Sequence, residues 1–162
     1  MEAAEYCRLF VKGTTNVLQE YGIEIAEIGA TIPSPTKYME TRGLDVMVYL
    51  TEEAEGVFLL SLPMDTAMNL ARKIDLDPDS VDEELTREVV AEMGNLVGAR
   101  ASASLSRLGI TTNITPPSIF CGTGSHIFSV VPHLHLTEFS TGIGNFWVYS
   151  AIRRREKTVI YV

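Results

Sequence analysis

Hydrophobic positions recur at helical spacing in three separate stretches of the chain. The first covers residues 2–21 and is followed by Gly22, a residue that commonly ends helices. The second is the short segment 64–74, near whose start Asp65 is a candidate cap, and the third is the long segment 82–108. The pattern therefore predicts two long helices and one shorter helix.

The remaining hydrophobic runs are rich in β-branched and aromatic residues, which is typical of strands. Before the long helix, residues 23–32 form a first predicted strand, 34–42 a loop, and 44–52 with 56–63 a hairpin. Four more strands are predicted after it, at 110–124, 126–140, 143–153 and 157–162. The sequence shows no close repeat.

Strands and helices that do not alternate strictly favour an α+β fold. We expect a layered sandwich in which a mainly antiparallel sheet packs against the two long helices and the shorter one. The length of 162 residues and the hydrophobic content of 46% suit one domain over residues 1–162.

The long predicted helix has two contrasting sides, and Ser80 or Asp82 can cap its start. Its predicted core side carries hydrophobic residues, namely Leu85, Val89, Val90, Met93, Leu96, Val97, Ala101 and Leu108. Its opposite side carries polar or small residues, namely Glu88, Glu92, Asn95, Ala99, Ser102 and Ser106. An exposed helix side is normally filled with long Lys and Glu side chains, so the small residues beyond Asn95 indicate a surface that another molecule can approach closely.

Glu92 and Asn95 are the tightest polar pair, because a spacing of three residues projects both side chains to the same side of a helix. Gly94 and Gly98 flank Asn95, although each glycine costs a helix up to about 1 kcal/mol relative to alanine. Two explanations stay open at this point. Either a functional site requires the glycines, or the helix packs closely against another element.

Charge and cysteine content exclude several classes of protein. The net charge of −8 argues against a nucleic-acid partner, because the only dense basic cluster is the run 153–155. The two cysteines, Cys7 and Cys121, cannot form a disulfide framework and have no metal-binding spacing. With no signal peptide and no membrane-spanning run in the sequence, we expect a cytoplasmic protein without a membrane partner.

Other candidate sites are weaker. His133 and His135 share one side of a predicted strand, with His126 or Glu138 as further ligands, but exposed histidines are commoner than zinc centres. The segment 121–125, CGTGS, lacks the lysine and following helix of a phosphate loop and is interpreted as a turn. A hydrolase triad has no sequence support, since no Gly-x-Ser-x-Gly motif is present.

With the long helix placed, the sequence resembles the chemotaxis phosphatases of the CheC, CheX and FliY family, and most closely the CheX branch. The resemblance rests on EMGNLVGA, with Glu92-x-x-Asn95, and on the distance from it to ITPPSIFCG, with Pro116 and Pro117. CheC-type members usually carry two such motifs, whereas the first helix here has none. Glu88 stands where the family pattern often has Asp or Ser.

The resemblance implies an enzyme that hydrolyses the aspartyl phosphate of a CheY-type response regulator. Asn95 would position the attacking water and Glu92 would pair with the regulator's active-site lysine. The partner-binding residues would be Glu88, Gly98, Ala99 and Ser102. The chain itself would bind no cofactor, since Mg²⁺ would belong to the regulator, and it would form a homodimer through its sheet.

Two other functions stay open. One is a non-catalytic adaptor of the same fold that binds a response regulator or a flagellar-switch component. The other is a small-ligand sensor with a pocket between sheet and helices.

Overall fold

Three α-helices and eight strands follow one another along residues 1–156, the part of the chain that the computed structural model describes. The helices are α1 (Ala3–Glu20), α2 (Met64–Ile74) and α3 (Glu83–Arg107), with a 3₁₀ turn at Pro78–Ser80. The strands are β1 (Ile25–Ile28), β2 (Ile32–Pro33), β3 (Tyr38–Glu52), β4 (Ala54–Pro63), β5 (Thr112–Ile114), β6 (Ser118–Phe128), β7 (His135–Thr141) and β8 (Gly144–Arg154). The predicted strand 157–162 lies outside the described residues.

The strands form one antiparallel sheet in the order β1-β7-β8-β4-β3-β5. Beyond this path, β2 pairs with β7 and β6 pairs with β3. Helices α1 and α3 pack against each other and against the sheet, α1 on β8 and α3 on β3 and β5. The predicted α+β sandwich is therefore confirmed. Separately, none of the helices in the described part of the chain is long and apolar enough to cross a membrane.

The strand order reveals two structurally similar halves. Each half runs from a long helix through two strands, β1 and β2 or β5 and β6, into a hairpin, and the two hairpins meet where β4 pairs with β8. The ends of α1 and α3 also match: Gly22 and Gly109 have φ angles of 72° and 78°. In both, the amide of the next residue, Ile23 or Ile110, donates a 3.0 Å hydrogen bond to a helix carbonyl. This internal symmetry leaves no recognisable repeat in the sequence.

The main core lies between the helices and one side of the sheet. Its largest fully buried side chains include two aromatic pairs, each with ring centroids 5.0 Å apart: Phe10 with Phe58, and Phe139 with Phe146. A second, smaller cluster on the other side of the sheet is covered by the segment 129–134.

Two predictions about strands are wrong. The predicted loop 34–42 contains the start of β3, and the predicted turn 121–125 lies inside β6. Both segments pair with each other, with Arg42 opposite Thr123, and this long-range pairing outweighs the local turn preference of Gly122 and Gly124.

The predicted strands 110–124 and 126–140 are each interrupted. The first is divided into β5 and β6 around Pro116 and Pro117, because proline has no amide hydrogen for strand pairing. The second contains the end of β6 and most of β7, with the segment 129–134 between them.

Candidate active site

Helix α3 carries the predicted site and begins at a well-formed cap. The Asp82 carboxylate accepts a 2.8 Å hydrogen bond from the amide of Leu85, whereas Ser80 belongs to the preceding 3₁₀ turn. Glu83 and Glu84 in the first turn add negative charge at the positive end of the helix dipole.

The predicted cap of α2 is wrong, because Pro63 occupies that position and Asp65 lies inside the helix.

Glu92 and Asn95 lie together at the rim of an open groove. Glu92 is exposed and Asn95 is half-buried. The groove has a volume of about 570 Å³ and is lined by Glu88, Ala91, Glu92, Asn95, Ile114, Thr115, Pro116 and Pro117. One wall is therefore α3, and the opposite wall is the segment that follows β5.

The position of the second wall is set by hydrogen bonds to β3. The Thr115 amide donates to the Tyr49 carbonyl at 2.9 Å, and the Tyr49 amide donates to the Thr115 hydroxyl at 3.0 Å. Pro116 and Pro117 come directly after this anchor, and their restricted backbone gives the wall a rigid shape.

The two glycines of α3 are explained by close packing, one of the two alternatives left open by the sequence. A Cβ atom at Gly94 would lie 2.6 Å from a methyl carbon of Val46, and one at Gly98 would lie 3.3 Å from Val48. Both glycines are buried. Gly98 was predicted to contact a partner, but it faces the sheet, so its role is to let α3 approach the core.

Leu108, predicted to lie on the core side, is 49% exposed because it caps the end of the helix.

The other predicted partner-binding residues lie on the accessible side of α3. Glu88 and Ala99 are exposed, and Ser102 is half-buried. The Ser102 hydroxyl donates to the Thr112 carbonyl at 3.0 Å, which ties α3 to β5. Ala99 and Ser102 line a second groove of about 400 Å³ between α3 and β5.

Tyr21, a residue that the sequence did not predict as part of the site, lies within the electrostatic influence of Glu92. It follows α1 and is half-buried against the core. Burial raises the pKa of its hydroxyl, and the negative charges of Glu92 and Glu20 raise this pKa further, whereas Arg100 lowers it. Tyr21 and Glu92 are distant in sequence, and the packing of α1 against α3 brings the Tyr21 hydroxyl within the electrostatic influence of Glu92.

The first half of the fold lacks an equivalent pair. Counting back in register from the matching helix ends, Glu5 corresponds to Glu92 and Arg8 to Asn95. The Glu5 carboxylate accepts a 3.0 Å hydrogen bond from the Glu2 amide at the start of α1, so it serves as part of a helix cap. Of the two equivalent helices, only α3 therefore carries a carboxylate together with a carboxamide at these positions.

The histidines do not lie as predicted. His133 precedes β7 in a loop with a φ of 63°, and its carbonyl oxygen is 2.7 Å from Nδ1 of the buried His135. The two side chains therefore do not share one side of a strand. Across residues 1–156, no three His, Cys, Asp or Glu side chains lie close enough to hold a metal ion.

Comparisons with known proteins identify the family of this chain. The family model "Chemotaxis phosphatase CheX" matches residues 45–132. A curated relative, the CheY-P phosphatase CheX of Thermotoga maritima, is 26% identical over 113 residues, which cover 67% of this chain and 72% of the relative.

Two solved structures extend the comparison to nearly the whole chain. A chemotaxis protein CheX from Desulfovibrio desulfuricans is 25% identical with a TM-score of 0.81, covering 92% of this chain and 99% of that chain. A chain of the CheX–CheY–BeF3–Mg²⁺ complex from Borrelia burgdorferi is 27% identical with a TM-score of 0.72, covering 92% and 98%. This protein belongs to the CheX family of chemotaxis phosphatases.

Proposed function

We propose that this protein hydrolyses the aspartyl phosphate of a CheY-type response regulator, with Glu92 and Asn95 as its catalytic pair. The observation that carries the proposal is the exposed carboxylate beside a carboxamide on one rigid helix, at the rim of an open groove. Family membership supports the reaction type. The name of the Thermotoga relative and the CheX–CheY complex support the partner.

Asn95 is suited to orient water. An aspartyl phosphate is a reactive acyl phosphate, so catalysis needs a water molecule held in line with the leaving oxygen more than it needs a strong base. The carboxamide oxygen of Asn95 accepts a hydrogen bond from that water, which points a lone pair of the water oxygen at phosphorus. The half-buried position of Asn95 restricts its side chain and lowers the entropy cost of holding the water.

Glu92 is suited to fix the depth at which the pair enters the regulator. Its exposed carboxylate can form a charge-assisted hydrogen bond with the active-site lysine of the regulator. The chain needs no cofactor for this role, because the regulator supplies the Mg²⁺ that neutralises the phosphoryl group.

The partner-binding surface extends along α3 on both sides of this pair. Glu88 lies one turn before Glu92, and Ala99 and Ser102 lie one and two turns after Asn95. From Glu88 to Ser102 the helix spans about 20 Å, which is within the width of an ordinary protein interface.

The decisive experiment measures the decay of phosphorylated regulators from the same genome with the wild-type protein and with Asn95→Ala. We expect the wild-type protein to accelerate decay and Asn95→Ala to reduce the acceleration by at least about 100-fold, as for other groups that act in the transition state. Asn145→Ala is the matched control, since Asn145 is an exposed carboxamide on β8. This control should keep full activity.

Retained activity in Asn95→Ala would refute the role of Asn95. Stable binding of the phosphorylated regulator without faster phosphate release by the wild-type protein would instead favour a non-catalytic adaptor.

We also propose a homodimer formed by pairing of β6 with β6 of a second copy. Within the described residues β6 pairs only with β3, so one edge of an 11-residue strand is left without a partner. Three large hydrophobic side chains near this edge are strongly exposed: Tyr38 at 47%, Phe128 at 52% and Val130 at 72%. A free edge strand of this length exposes unpaired backbone N–H and C=O groups, and a strand of a second copy would pair with them.

A further inference from the structure

A third groove lies between α1 and α3 and has a volume of about 410 Å³. It is lined by Lys12, Gly13, Asn16, Leu96, Ala99, Arg100, Ala103, Ser104 and Arg107. Three of these residues are cationic and none is acidic, although the chain as a whole has a net charge of −8. The lining of the groove is therefore positively charged, whereas the protein as a whole is negatively charged.

The cations of the groove differ in how they are held. Both carboxylate oxygens of Glu20 lie 2.6 Å from Nη2 of Arg100, which fixes this guanidinium at the groove wall. Lys12 and Arg107 are exposed, and no ion pair to either is formed by residues 1–156. Their charges are available to a partner.

Small residues make the groove accessible. Gly13 allows close contact between the helices, since a Cβ atom there would lie 3.2 Å from the Val97 carbonyl oxygen. Ala99, Ala103 and Ser104 add little bulk. A partner side chain can therefore enter between the cations without displacing a large residue.

The groove lies within reach of anything bound at the candidate active site. Ala99 lines this groove and is one turn from Asn95, and Ala103 is about 12 Å farther along the helix than Asn95. A typical interface buries about 800 Å² on each partner, a patch about 30 Å across. Measured from Asn95, such a patch reaches about 15 Å, so a regulator whose phosphoryl group meets Asn95 can extend over Ala99 and Ala103 of the groove.

We propose that the groove between α1 and α3 is a docking site for acidic side chains of the phosphorylated regulator. The proposal rests on the proposed function, because Asn95 fixes where the regulator sits. Glu88 and Glu92 make the active-site end of α3 negative and would repel an anionic partner on approach. The cations of the groove compensate for that repulsion and select partners with a matching acidic patch. Arg100 and Arg107 lie about two and four turns after Glu92 on α3, and Lys12 lies on α1.

The test is the double variant Lys12→Glu/Arg107→Glu, assayed for dephosphorylation over a range of regulator concentrations. We expect KM to rise about tenfold or more while kcat changes less than about twofold, since the groove contributes to encounter and binding and not to the chemical step. The KM of the wild-type protein should also rise more steeply with ionic strength than that of the variant.

Arg72→Glu/Lys73→Glu is the matched control, with the same change in net charge on the exposed side of α2, outside the groove. Its KM should stay within about twofold of the wild-type value. An equal rise in KM in both double variants, or no rise in either, would overturn the proposal. Lys12→Gln/Arg107→Gln, which only removes the charges, should give a smaller rise.

Binding experiments separate this proposal from the proposed function. The beryllofluoride–Mg²⁺ form of the regulator is titrated with the wild-type protein and with both charge-reversal variants. Weaker binding only in Lys12→Glu/Arg107→Glu supports the docking role of the groove, even if the wild-type protein fails to accelerate dephosphorylation. Equal binding by all three overturns it even if Asn95→Ala abolishes activity.

Discussion

At the scale of single residues, Gly94 shows how the side chain of Asn95 is tied to the core. Gly94 directly precedes Asn95 and sits against Val46 of β3, where no Cβ atom fits without movement. The contact presses α3 onto the sheet beside the carboxamide. The position of Asn95 therefore depends on a buried neighbour that packs against the sheet.

We predict that Gly94→Ala lowers the free energy of unfolding by about 1–2 kcal/mol. Overpacking against Val46 costs about 1–3 kcal/mol, and the better helix propensity of alanine returns at most about 1 kcal/mol. Chemical denaturation measures the change.

Val46→Ala supplies the control for this prediction, because it removes the methyl groups that the new Cβ would meet. In that background Gly94→Ala should be neutral or stabilising. If the two substitutions have additive effects on the free energy of unfolding, contact with Val46 is not the cause of the destabilisation by Gly94→Ala.

At the scale of elements, α3 depends on a local cap. The sequence left Ser80 and Asp82 as alternatives, and the structure assigns different roles to them. Asp82 caps α3, whereas the Ser80 hydroxyl donates a 2.8 Å hydrogen bond to the Asp77 carbonyl in the 3₁₀ turn. The first turn of α3 therefore relies on one carboxylate.

We predict that Asp82→Ala lowers the free energy of unfolding by about 1 kcal/mol, because the amide of Leu85 loses its acceptor. Ser80→Ala should change it by less than about 0.5 kcal/mol. Thermal denaturation of both variants tests the difference, and a larger loss in Ser80→Ala would contradict the assigned cap. The kcat of both variants should match the wild-type value, since neither residue lies at Asn95.

At the scale of the whole molecule, the two matching halves of the sheet have unequal edges. One edge ends in the short strands β1 and β2, and the other carries the long strand β6. Only the second edge is long enough for extensive pairing with another copy. The internal symmetry is thus broken both at this edge and at the helix pair, where α1 lacks the carboxamide.

We predict that the protein is a dimer at micromolar concentration and that Thr123→Lys shifts it towards monomer. Thr123 lies in the middle of β6, so in a symmetric antiparallel pair the two lysines would lie near each other, and lysine on an edge strand disfavours pairing. Sedimentation velocity measures the shift. Gln19→Lys, an exposed position on α1, is the control for the added charge and should remain dimeric.

Much of the helical structure, and the placement of Glu92 and Asn95 on one side of α3, were predictable because they depend on local geometry. The bounds of α2 agree with the hydrophobic spacing, as do those of α1 and α3 to within one residue at each end. Glu92 and Asn95 share one side of α3 because any helix places residues three apart together. The family resemblance rested on these same local features.

Only the tertiary structure decided what depends on contacts between distant segments. Pairing with β3 turned the glycine-rich segment 121–125 into strand, and packing of α3 on the sheet buried Gly98. Packing of α1 on α3 placed Tyr21 within the electrostatic influence of Glu92 and formed the cationic groove. The spacing of residues within one element records which side each side chain takes, but it contains no information about which other element that side will meet.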